Sequence, residues 1–221
     1  MSGTSPGSSV LLLLRVDPLE AMKRYRFVVE TDVYKIGSLG GSCTVSCSHI
    51  NDNIYRLQVT AIGGSDFYYP YITTGDSVGR CYVPVGQEDG TLVLTGGMNG
   101  CAAQVKRQTD RNFAFYHDKN SVSIAKLPDA LPGTTVCDIS FADYAGPSGG
   151  VYQMTVTSQL SNKMFVTLYE HYVIAVKDAG KWHMMNSAVL RSQGLDPKNS
   201  KTIFMTYDPA GSPRMKSFDD A

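Results

Sequence analysis

Cys101 and His117 stand at the two ends of "CAAQVKRQTDRNFAFYH", a stretch that reads as two strands joined by a turn around "QTD". Centring the hairpin on Thr109 sets Cys101 opposite His117, Ala103 opposite Phe115 and Val105 opposite Phe113. Side chains on a strand alternate between faces, so these residues share one largely apolar face. Gln104, Lys106 and Asn112, with Ala102, Ala114 and Tyr116, take the other. Directly opposed residues hold their Cβ atoms about 4.5–5.5 Å apart, within reach of a hydrogen bond from Sγ to a ring nitrogen. An imidazole beside a thiol favours the thiolate, and the thiolate is the nucleophile.

The turn before the cysteine, "TGGMNG" over residues 95–100, supplies a second ingredient. Gly96, Gly97 and Gly100 permit close backbone approach, so amide N–H groups around Asn99, Gly100 and Cys101 can point at a developing oxyanion. A catalytic triad also needs a group that holds the imidazole tautomer. Thr95, just before the glycines, is the nearest candidate, through its hydroxyl or its carbonyl. A lone Cys and a lone His on a buried face also describe ordinary core residues. A non-enzymatic β-sandwich binding module with Cys101 as an inert thiol therefore stands beside the catalytic reading.

At "MNGC" and "FAFYHD" the sequence resembles the cysteine-dependent glutamine deamidase toxins, the group of the cytotoxic necrotizing factors, dermonecrotic toxin and the Burkholderia lethal factor, with the chemotaxis deamidase CheD as a distant relative. Their shared mark is a small-residue turn ending in Gly-Cys, followed after a dozen or more residues by a strand-borne His. In one branch a Thr six positions before the Cys completes the triad, and Thr95 has that spacing from Cys101. Asn99 replaces the usual Ser, and the likeness covers about residues 91–118. The resemblance implies a β-sandwich core with flanking helices and a shallow site for a glutamine side chain of another protein, such as a small GTPase or a translation factor. It implies that Cys101 attacks the carboxamide, that amides near Gly100 and Cys101 hold the oxyanion, and that His117 protonates the departing ammonia. No cofactor or metal is implied. Transglutamination is a side activity of some relatives, and a secreted bacterial effector acting in a host cytosol is the implied setting, with an ordinary cytoplasmic protein as the other. A cysteine peptidase or amidase is the nearest enzymatic rival, since it needs the same Cys and His but a groove for a chain.

"CTVSCSH", residues 43–49, groups Cys43, Cys47 and His49 and invites a zinc reading, with Cys81, His171 or His183 as a ligand recruited through the fold. Strand alternation explains the same spacing without a metal. His171 and His183 otherwise read as structural or surface histidines.

The elements that must position these residues are mostly strands. Gly, Asn, Asp and Pro punctuate short runs rich in Val, Ile, Thr, Tyr and Phe. "RYRFVVETDVYKI", "IYRLQVTAI", "TLVL", "NFAFYH", "GVYQMTV", "KMFVTLYEHYVIAV", "KWHMM" and "TIFMTY" read as strands. Residues 17–25 predict a helix with Asp17 as N-cap and Pro18 in the first turn, and residues 185–194 predict a second. The pattern predicts a mostly β, α+β protein with mixed or antiparallel strands and a few flanking helices, and disfavours a parallel doubly wound sheet. One catalytic domain over 1–221, acting as a monomer, is expected, with about 1–16 and 208–221 flexible because their polar, small-residue ends bury little.

Composition narrows the function classes. Twenty basic and 20 acidic residues cancel, which leaves no electrostatic footprint for nucleic acid or an anionic membrane. The longest apolar run, "VLLLL" over 10–14, is far short of the roughly 20 residues a bilayer requires. Five cysteines make an odd set, and a chain with 43% apolar residues can build a core without bridges, so free thiols are the simpler expectation.

Overall fold

The computed structural model describes residues 6–34, 39–72, 78–109, 111–119, 121, 124, 132–144, 153–158, 163–196, 198–199 and 201–220. It is a mostly β, α+β structure in which two sheets pack together, as the element pattern predicts.

Helices α1 (Pro6–Val16) and α2 (Pro18–Arg24) meet at Asp17. The Asp17 carboxylate accepts the Glu20 N–H at 3.0 Å, and Pro18 fills a first-turn position where no N–H is needed. The helix expected at 17–25 is therefore present. Helix α1 corrects the expectation of a flexible stretch over 1–16. Its Val10 and Leu14 are buried, and fully burying each such side chain contributes roughly 1.5–3 kcal/mol. The part of that expectation covering residues 1–5 lies outside the described residues.

The strands are β1 (Arg26–Thr31), β2 (Gly41–Asn51), β3 (Ile54–Ile62), β4 (Asp66–Tyr69), β5 (Val78–Pro84), β6 (Leu92–Thr95), β7 (Ala102–Thr109), β8 (Asn112–Asp118), β9 (Thr134–Ile139), β10 (Gln153–Ser158), β11 (Lys163–Asp178), β12 (Lys181–Leu195), β13 (Thr202–Pro209) and β14 (Arg214–Asp219), with α3 (Phe141–Tyr144) after β9. A long sheet runs β1-β3-β2-β4-β6-β11-β12-β13, with β10 also on β11 and β14 also on β12. Its pairs are antiparallel except β1 with β3 and β4 with β6. A short antiparallel sheet runs β5-β8-β7-β9.

Residues 185–194 do not form a helix. They continue β12, which pairs with β11 from Asp178↔Lys181 to Met164↔Leu195. The two-residue turn between these strands has Ala179 at φ 47° and Gly180 at φ 79°, the left-handed pair that matches strand twist. Once that turn sets the register, ladder pairing along the whole hairpin outweighs the local helical preference.

The long sheet is buried on both faces. Leu92, Leu94, Tyr172, Ile174 and Val176 join the core beneath α1 and α2, while their alternates Val93, Val173 and Ala175 join the core against the short sheet. Thr95 shares the parity of Val93, so β6 delivers its hydroxyl to the interface between the sheets. Backbone and side chain also draw the sheet's ends together, with Phe27 N donating to Ser187 Oγ at 2.6 Å and Asn51 Nδ2 to the Tyr207 carbonyl at 2.8 Å.

Strand β14 corrects the expected flexible end over 208–220, and residue 221 lies outside the described residues. Asp220 just beyond β14 is buried, and accepts from Trp182 Nε1 at 2.8 Å and Gly86 N at 3.0 Å, with Lys177 Nζ at 3.3 Å. A paired carboxylate of this kind locks the C-terminal strand to both ends of the interior. Among the described residues, no helix is long and apolar enough to cross a membrane.

Candidate active site

Strands β7 and β8 form the expected hairpin, but its register differs from the expectation by two residues. Ala103, not Cys101, is opposite His117, and Val105 is opposite Phe115. The cause lies near the turn, where the pairing ends at Thr109↔Asn112 and a bulge falls between Arg107 and Thr109. An even shift keeps every side chain on its face. Cys101, one residue before β7, is thus a diagonal neighbour of His117 at a Cβ separation of somewhat less than about 7–8 Å. Its Sγ makes no hydrogen bond to the ring in this structure, since His117 Nε2 has no partner.

His117 is sealed from solvent and its Nδ1 lies 2.7 Å from Thr95 Oγ1. The Thr95 hydroxyl has one hydrogen, and it goes to the Tyr69 carbonyl at 2.7 Å. Toward the imidazole the same oxygen can only accept, so the neutral ring carries its hydrogen on Nδ1 and a bare lone pair on Nε2. That is the tautomer a general base needs at Nε2. Burial pushes His117 down to about 4, against the pull of the neighbouring Asp118 carboxylate. The ring is therefore neutral at pH 7.

The turn from 96 to 101 is held from several sides. Met98 exchanges backbone hydrogen bonds with His171 on β11, at 2.6 and 3.0 Å. Ser121 Oγ donates to the Gly100 carbonyl at 3.0 Å, and Gly97 lies against the Tyr172 ring. Gly100 has φ 86°, a left-handed conformation that a side chain would strain. Burial pushes the Cys101 thiol up, and the Asn99 N–H works against that by favouring the thiolate. This corrects the expected resting thiolate, because desolvation of a nearly closed site (Cys101 is 3% exposed) outweighs an imidazole that is itself uncharged. The resting pair is a neutral thiol and a neutral base.

Tyr71 and Tyr144, which carry no role in the sequence expectations, and His171, expected as a structural or surface histidine or a recruited zinc ligand, complete the surroundings. Tyr71, 40% exposed, sets its ring 5.1 Å from His117 and forms the site's outer wall. Together with Gly96, Gly97, Tyr172 and Arg191 it also lines a cleft of about 510 Å³ whose lining includes neither Cys101 nor His117. Tyr144, in α3, hydrogen-bonds the Cys101 carbonyl. His171 packs on Tyr144 with ring centroids 4.3 Å apart, and its Nδ1 meets Asn186 Nδ2 at 3.1 Å. The signal for these was only indirect, as aromatic residues in or beside strands.

No family model matches the chain, and no curated protein does. The geometry therefore stands on its own residues.

The zinc constellation is not assembled. Cys43 and Val45 point into the core under α1 with Cys47 packed against it, whereas His49 turns outward, 3.0 Å from the Asp52 carbonyl. Cys81 and His171 lie on the far side of the long sheet, and His183 bonds Ser217 Oγ at 2.8 Å. Among the described residues no group of three His, Cys, Asp or Glu is placed to hold a metal ion. All five cysteines are free thiols.

Proposed function

We propose that the protein is a cysteine-dependent protein-glutamine deamidase, of the kind used by bacterial effectors on a host protein. The observation that carries the reading is the hydrogen-bond relay from the Tyr69 carbonyl through Thr95 to His117, which leaves a bare, unpartnered Nε2 on the face that carries Cys101. The Gly-Cys turn, with Gly100 in a left-handed conformation and the Asn99 N–H favouring the Cys101 thiolate, is the second support.

In this reading Cys101 Sγ attacks the carboxamide carbon as its proton passes to His117 Nε2, and the carbonyl π pair moves onto oxygen. The C=O bond re-forms, the C–N bond breaks, and the His117 imidazolium gives its proton to the leaving ammonia. Water then adds to the thioester with Nε2 taking its proton. Collapse returns Sγ, reprotonated from His117, and a glutamate side chain. Proton transfer and attack are concerted, because neither group is charged at rest. A deamidase needs a pocket for one side chain, whereas a peptidase must seat a length of chain.

One observation favours the non-enzymatic binding module. Cys101 and His117 are almost closed to solvent, as inert core residues are. Expression of wild type, Cys101→Ser and His117→Ala in eukaryotic cells, followed by mass spectrometry of cellular proteins, separates the two. Deamidation adds about one dalton at Gln. The deamidase reading expects that gain with wild type alone and names the target by it, while identical profiles from all three proteins would put the binding module in its place.

A further inference from the structure

The phenol of Tyr144 reaches the backbone of the residue that carries the nucleophile. Its Oη donates to the Cys101 carbonyl, and the backbone of Gly100 and Cys101 works against burial by favouring the ionised phenol. A phenol oxygen thus sits against the backbone of the Gly-Cys turn, at the residue that carries the thiol. Burial is the larger influence and pushes the phenol well up, so Tyr144 keeps its hydrogen at any working pH.

Rigid elements place that hydroxyl. Tyr144 is buried, with its ring 4.3 Å from His171 and 5.6 Å from Phe141. Helix α3 is fixed at its start by Asp143 Oδ2, which accepts from Ser140 N at 2.8 Å and Ser140 Oγ at 2.9 Å, and is tied to β14 by Lys216 Nζ at 3.0 Å from the same oxygen. The ring has little freedom, but the hydroxyl hydrogen turns about its C–O bond.

We propose that Tyr144 is an oxyanion donor, turning its hydroxyl hydrogen from the Cys101 carbonyl to the oxygen that becomes negative when Cys101 attacks a carbonyl carbon. The inference rests on Cys101 being the nucleophile. A charged oxygen accepts a stronger hydrogen bond than a neutral amide carbonyl does. The switch is therefore favourable only as charge develops, and it stabilises the transition state more than the ground state.

Two small reagents test this without the protein substrate. p-Nitrophenyl acetate acylates a thiol through a tetrahedral oxyanion, transferring acetyl to sulfur and releasing p-nitrophenolate. Iodoacetamide alkylates the same thiol by displacing iodide, with no oxyanion. Both rates are read at Cys101 by peptide mass spectrometry, with Cys101→Ser as the blank. Tyr144→Phe should slow acetylation about 10²–10³-fold and leave alkylation as in wild type. Replacing Tyr144 by 3-fluorotyrosine, a stronger donor of nearly the same shape, should speed acetylation alone, and covers the case in which the phenylalanine variant does not fold. Unchanged acetylation would make the phenol a mere tether, equal slowing of both reagents would make it a support for the thiol, and faster acetylation in the phenylalanine variant would make it a plug. Each of those overturns the proposal while leaving Cys101 a nucleophile. Wild-type Cys101 inert to both reagents would overturn the deamidase reading together with it.

Discussion

His117 and His171 face the same interface from its two sheets, and burial pushes each down to about 4. Their hydrogens nonetheless sit on opposite nitrogens. Thr95 spends its hydrogen on the Tyr69 carbonyl and accepts from His117 Nδ1. Asn186 accepts the Arg214 N–H on Oδ1 at 2.7 Å, which fixes its amide and leaves Nδ2 to donate to His171 Nδ1. His117 therefore presents a lone pair at Nε2, whereas His171 presents an N–H, and neither Nε2 has a partner. Burial makes both rings neutral, but the polarity of one neighbour decides which of them is a base.

The largest effect that sharpens this contrast is on turnover. Cys101→Ser and His117→Ala should each lower deamidation by about 10⁴-fold or more, the scale on which nucleophile and base fail. His171→Gln should cost turnover less than about tenfold, the low end for a group outside proton transfer. A comparable collapse in the His171 variant, measured on the same substrate, would erase the distinction. Thr95→Val comes next, because the isosteric change removes the acceptor that holds Nδ1–H. Turnover should fall about 10²-fold, with Thr95→Ser restoring most of it. A valine variant with wild-type rates would mean that the relay only packs the ring.

The pH dependence follows from the shared burial. Both histidines have folded values near 4 against 6.5 in the unfolded chain, so between those limits the unfolded state holds two more protons. Their contribution to stability is complete above pH 6.5 and declines as pH falls toward 4, by at most about 3 kcal/mol per pH unit. Urea titrations across that window should show the slope, and replacing either histidine should halve it. The acid limb of kcat/KM should fall near pH 4, where His117 gains its proton, and not near 6.5. The smallest effect belongs to Asn186→Ala, which should lower stability by about 1–3 kcal/mol in thermal melts and leave the acid limb in place.

Much of the β architecture was legible because alternation of apolar residues survives local error. The hairpin is the clear case. A two-residue misplacement of its register preserved the face shared by Cys101, Ala103, Val105, Phe113, Phe115 and His117, since only an odd slip moves side chains across a sheet. Thr95 was identified from its spacing, but the reason it meets His117 is long-range. β6 lies between β4 and β11 in the long sheet, and that pairing has no signature in the sequence. Helix α1 escapes the sequence pattern because its polar start masks Val10 and Leu14, and β14 because Asp220 is anchored by Lys177 of β11 and Trp182 of β12. The charge state of Cys101 was misjudged for a similar reason, as desolvation depends on what folds over a thiol. Tyr144 has only the indirect signal of an aromatic residue near a strand, and packing against His171 brings it to the turn.

The position of one proton tests the account most directly. Long-range ¹H–¹⁵N correlation spectra of the wild type at neutral pH report which ring nitrogen of each histidine is protonated, with His117→Ala and His171→Gln assigning the signals. The expected result is a neutral His117 with hydrogen on Nδ1 beside a neutral His171 with hydrogen on Nε2. A His117 protonated on Nε2 would have no lone pair to offer Cys101 and would contradict it.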